Sequence, residues 1–208
     1  MAKTRQVDKH WSDVRAVLAS QGSAQLLETV RDLYDLSQEN RDFLNARYLA
    51  SENCLESYKK AIDDAIYPNV YESKPIRVSI AKKAISHYTK ATGDQAGILE
   101  LMVYFVERGN QFTVDFGDID EGFYSSLESM FGRILETLKG SDHEVIAHFL
   151  PRLAAIRDAA AGIGWGYHDY LSPAATEGTS STSITGYQEP TWWCGDRAPR
   201  CPLAGGLA

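Results

Sequence analysis

Residues 94–138, DQAGILELMVYFVERGNQFTVDFGDIDEGFYSSLESMFGRILETL, read as two helices joined by an acidic turn, and they carry the densest apolar surface in the chain. Ile98, Leu101, Met102 and Phe105 recur at helical spacing, while Leu99, Val103 and Val106 fill much of the opposite side. A helix that is apolar nearly all round is a buried one, so this helix is expected at the centre of a bundle. In the second half Phe123, Leu127, Met130, Phe131, Ile134, Leu135 and Leu138 share one face. Ser125, Ser126, Glu128, Ser129, Arg133 and Glu136 take the other, the pattern of a helix lying on that centre.

Working outward, the N-terminal side predicts five more helices. Ser12 is placed to cap a short one carrying Val14, Val17 and Leu18, which Gly22 ends. Ser23 opens a second with Leu26, Leu27, Val30, Leu33 and Tyr34, and a third runs through Phe43, Leu44, Arg47 and Tyr48. Ser51 starts a fourth, with Leu55, Tyr58, Ile62 and Ile66 inward until Pro68 stops it; Lys59 with Asp63 and Lys60 with Asp64 are pairs four apart on its wet side. After a proline-bounded loop, 68–75, a fifth helix turns Ile80, Ala81, Ala84, Ile85 and Tyr88 inward and ends at Gly93.

Beyond the central pair, Gly140 is a stop, and Ser141 with Glu144 has capping-box spacing ahead of Val145, Ile146, Phe149 and Leu150. Pro151 then kinks that helix or starts a new one, which continues through Leu153 and Ile156 to Gly162. No strand pairs, repeats or phosphate-loop signatures interrupt this pattern. The expected fold is all-α: a single bundle of seven or eight helices over 12–171, preceded by a flexible segment 1–11. From Ser172 the composition turns to Ser, Thr, Gly and Pro without helical period. Residues 172–208 are therefore expected to be a disordered tail, although Trp192, Trp193, Cys194 and Cys201 are unusual companions for one.

Four segments add a resemblance: KPIRVSIAKKAIS (74–86), FTVDFGDID (112–120), FYSSLESMF (123–131) and GWGYHD (164–169). Through them the chain resembles an uncharacterised bacterial family of small helical proteins, a domain of unknown function, over about 14–171. The resemblance implies a helical fold and no particular activity.

With 208 residues and a net charge of −7, the chain is long enough for one well-filled core and lacks any overall attraction to nucleic acid or anionic lipid. No apolar run approaches the roughly 18–20 residues that span a bilayer, since Glu100 breaks the best one. Three cysteines without metal-type spacing and no signal-peptide pattern fit a reducing cytoplasm.

Three stretches carry candidate chemistry. Asp115, Asp118, Asp120 and Glu121 crowd the turn between the central helices. They could hold Mg²⁺ or Ca²⁺, which take several oxygen ligands, but the spacing is not that of an EF-hand. The plainer reading has Asp118 capping the second helix and Glu121 in its first turn. The segment between residues 73 and 93 has no acid but contains Lys74, Arg77, Lys82, Lys83 and Lys90. Lys82, Lys83, His87 and Lys90 form a stripe suited to an acidic partner, or else a solvated face. Trp165, between two glycines and followed by His168 and Asp169, either latches the chain's end onto the bundle or borders a pocket with Asp118 or Asp120. His143 and His148 are five apart, about 140° round a helix, so they do not form a zinc-protease pair.

The expected function is that of a non-enzymatic cytoplasmic binding module without a cofactor. It would engage a protein partner or itself through Lys82, Lys83, His87, Lys90 and Trp165. The alternative is a small metal-dependent hydrolase or nuclease, with Asp115, Asp118 and Asp120 on the ion and His168 or His87 moving protons. Nucleic-acid binding by the lysine stripe is a third reading, and it would be steeply salt-dependent.

Overall fold

The computed structural model describes residues 9–49, 53–72, 74–164 and 166–171. Segments 1–8 and 172–208 lie outside the described residues, as do Ser51 and Trp165, and with them the expected tail; of the segment 1–11 expected to be flexible, residues 9–11 are described and form the start of α1. Eight helices form the described chain: α1 (Lys9–Ala19), α2 (Ser23–Leu36), α3 (Gln38–Tyr48), α4 (Asn53–Ile66), α5 (Val78–Thr92), α6 (Gln95–Phe116), α7 (Glu121–Lys139) and α8 (His143–Ala159). A 3₁₀ turn, Val70–Glu72, sits in the loop before α5, and no strand occurs among the described residues.

The central helix is the expected one. Leu99, Leu101, Val103, Phe105 and Val106 have no solvent exposure, and α4, α5, α7 and α8 all pack on α6. Each such side chain contributes on the order of 1.5–3 kcal/mol by leaving water. At Gly109 a Cβ would lie 2.5 Å from Leu127 of α7, so the missing side chain lets the two helices close together. Gly117, at φ +91, ends α6 in a backbone conformation that other residues rarely adopt.

Several local expectations need correction. The cap of α7 is Asp120, whose Oδ1 accepts the Phe123 N–H at 2.8 Å; Asp118 instead accepts from the Tyr124 hydroxyl at 3.0 Å. Ser12 lies inside α1, which is already helical at Lys9, so it does not hold the cap position expected of it. The capping box of Ser141 and Glu144 does not form, because Asp142 occupies the cap position and the Ser141 hydroxyl donates back to the Thr137 carbonyl. Pro151 starts no new helix; α8 runs through it. Lys59 pairs with Glu56 and Glu100, leaving Asp63 to Arg108. Ile80 is 38% exposed because it lies one position before the buried line of Ala81, Ile85 and Tyr88.

The largest departure is at the start of the chain. The apolar faces of α1 and α2 do not join the core: α2 has no buried residue, and among closely packed helix pairs it meets only α3. The core instead begins at Ala46 and fills α4 to α8.

Candidate functional site

The lysine stripe divides between two flanks of α5. Lys83 reaches α3, where its ammonium lies 2.9–3.0 Å from both carboxylate oxygens of Glu39. That hydrogen bond, opposed by burial and helped by the charges of Lys83 and His87, holds the Glu39 carboxyl below its usual range. Lys82 is half-buried on the opposite flank; burial and the nearby charge of Arg133 on α7 push its ammonium down. Lys90 is exposed, with its carbonyl held by Arg47 at 2.7 Å, and His87 is half-buried. The stripe is therefore partly neutralised by Glu39 of α3.

The acids of that turn are dispersed over separate partners. Asp115 accepts from the Tyr67 hydroxyl at 2.6 Å and from Gln111 at 2.8 Å, and these two bonds hold its carboxyl low. Asp118 takes the Tyr124 hydroxyl and Asp120 the α7 cap. No group of three or more His, Cys, Asp or Glu converges on a metal-sized site among the described residues. The chain after α8 does return to this turn, since a Cβ on Gly164 would lie 3.0 Å from Asp118. There Tyr167 and Leu171 are fully buried, with the Tyr167 ring 5.4 Å from that of Tyr124. The segment after α8 is thus latched to the bundle, by these two residues among the described ones. His168 Nδ1 lies 3.9 Å from Asp169, and Trp165 lies outside the described residues.

Two surfaces emerge that the sequence reading did not mark as sites. The first is a polar stripe along α6 itself: Glu100, Tyr104, Glu107, Arg108, Gln111 and Asp115, one or two per turn. Arg152 of α8 grips Glu107 through two bonds of 2.7 Å and also pairs with Glu100. Glu100 in turn meets Lys59 of α4 at 3.1 Å. Further along, Asp63 accepts from Arg108 at 2.6 Å and from Tyr104 at 2.7 Å, and the Arg108 guanidinium lies over the Tyr67 ring. Burial pushes the Glu100 carboxyl up, but the hydrogen bonds from Arg152 and Lys59 outweigh it and hold the group below its usual value. Every carboxylate in this chain of contacts has a cationic or hydroxyl partner, which makes it a clamp tying α4 and α8 to α6. The signal was present in the sequence as polar residues recurring every three or four positions from 100 to 115.

The second surface is apolar. Trp11, Val14 and Val17 of α1 are 49–61% exposed, and Leu27 and Leu36 of α2 are 70% and 75% exposed. Between α2 and α3 runs an open groove of about 420 Å³ lined by Leu27, Val30, Tyr34, Leu44, Tyr48 and Leu49. Leu26, Val30, Leu33, Tyr48 and Leu49 also stand exposed. Scattered surface apolar residues are ordinary, whereas ten large ones exposed between residues 11 and 49 are a concentration that suits a covering surface. Sequence periodicity marks these residues as a buried face and cannot say whether the burying surface belongs to the same chain.

Comparison with curated proteins and with solved structures found no match. A family model described as a family of unknown function, DUF6155, matches residues 9–172, from the first residue of α1 to just past the buried Leu171. The chain belongs to the DUF6155 family.

Proposed function

We propose that the protein is a cytoplasmic interaction module that acts by docking another polypeptide, with no chemistry of its own. The observation that supports this most is the unburied apolar face of α1 to α3. An amphipathic helix of 14 residues with nothing buried is marginal in water, because most helical stability in proteins comes from packing that face. The α2–α3 groove has the form that accepts the apolar side of an amphipathic helix. Its walls carry a single charge, Arg31, so the occupant is apolar at its centre and charged only at its rim.

The test compares two sets of substitutions in cross-linking and capture experiments on the full chain. Leu27→Glu with Tyr48→Glu places charges in the groove, and both positions are exposed enough that the fold is retained. Lys82→Glu, Lys83→Glu and Lys90→Glu together reverse the lysine stripe. The groove pair is expected to abolish association and the lysine triple to leave it intact. Association that survives the groove pair but not the lysine triple overturns the choice of surface.

A further inference from the structure

We infer that the polypeptide in the groove is helix α1 of a second copy of this chain, so that two copies exchange N-terminal arms. This inference rests on the docking role proposed above and names its partner.

Both halves of the contact are present and unsatisfied in one chain. Helix α1 is not among the helices packed closely on any other, and it exposes Trp11, Val14 and Val17 on its outside. With the half-buried Leu18, Trp11 and Val14 fall at positions i, i+3 and i+7, the spacing of anchors on a helix lying in a groove. The α2–α3 groove stands open in the same chain. A two-fold pairing fills both at once: the arm of each copy lies in the groove of the other, and the contact closes without leaving a further edge. A foreign partner would have to match the arm and the groove separately.

Charge points the same way. Helix α1 contains Lys9 and Arg15 against Asp13, an excess of one positive charge. Helix α2 contains Glu28, Asp32 and Asp35 against Arg31, an excess of two negative charges. Taken helix by helix, an arm laid along the α2 of another copy therefore sets a net positive element beside a net negative one, a pairing that favours this orientation. The family match starts at α1 and includes both arm and groove but leaves out 173–208. Arm and groove thus belong to the matched domain, and the segment with Trp192 and Trp193 does not.

The experiment is sedimentation of the full chain over a range of concentrations. Wild type is expected to populate a dimer. An arm variant, Trp11→Glu with Val14→Glu, and a groove variant, Leu27→Glu, are each expected to weaken dimerisation by about tenfold or more. All three positions are exposed in the single chain, and unchanged circular dichroism confirms that each variant folds. Mixing the two variants is the decisive arm. The intact arm of the groove variant can enter the intact groove of the arm variant, so the mixture is expected to form heterodimers that neither variant forms alone. A wild-type chain that stays monomeric overturns the exchange. If groove substitutions then still abolish capture of a different protein, the docking role stands without it. A dimer whose two variants do not complement each other also overturns the exchange, in favour of a face-to-face contact.

Discussion

A single carboxylate decides where α7 begins. Both Asp118 and Asp120 precede an apolar helix, and spacing from Glu121 favours Asp118 as the cap. The choice falls to Asp120 because its backbone is extended, at φ −132 and ψ 164, and its Oδ1 reaches the Phe123 N–H. Asp118 is drawn off by Tyr124, which is buried with its hydroxyl turned to that acid. Asp120→Ala is expected to cost about 1 kcal/mol in urea unfolding, the usual penalty for losing an N-cap. Asp120→Asn, which can still accept the bond, is expected to stay within a few tenths of wild type. Equal losses in the two variants would mean that the charge, and not the hydrogen bond, matters at that site.

Among the elements, α6 was legible as the core helix but not as a clamp. Leu99 to Val106 give a nearly continuous apolar signal, and against it Glu100 reads as a mere interruption. Arg152 supplies the meaning, and it comes from a helix more than forty residues away in the chain. The polar recurrence along α6 is local, but its pairing with Arg152 has no local signature. It does have a pH signature. The folded-state pKa of Glu100 lies below the ordinary 4.5, so its contribution is present above that pH and is lost as pH falls through the lower folded value. Arg152→Gln removes the larger opposing influence while burial and Lys59 remain. Stability at neutral pH is expected to fall by about 2 kcal/mol, less than for a fully buried pair because Arg152 is partly solvated. The variant is expected to lose less stability than wild type on acidification, because the advantage Arg152 confers disappears as Glu100 takes up its proton. Urea unfolding from pH 7 down to below 4.5 tests both statements, and parallel pH profiles would deny Glu100 its part.

At the scale of the whole molecule, one question is where the domain ends. Composition places the boundary after Leu171. The family match stops at residue 172, and Tyr167 and Leu171 are fully buried against the bundle. Tyr170 reaches towards Gly132, where a Cβ would lie 3.1 Å from its hydroxyl, so this last helical turn is fitted to α7. By contrast, the sequence could not reveal that α1 and α2 stand outside the core, because their apolar periodicity is that of any core helix. Two truncations separate these cases. A chain ending at Pro173 keeps the whole latch and is expected to unfold at the same temperature as the full chain. A chain ending at Gly164 loses both buried side chains and uncovers Tyr124, which is expected to cost about 3–5 kcal/mol, as deletion of a large buried aromatic does. Calorimetry of the two truncated chains beside the full one provides the measurement. If ending at Pro173 lowers the transition as far as ending at Gly164, then residues beyond 173 contribute to the folded domain, and the boundary drawn from burial and family match is too early.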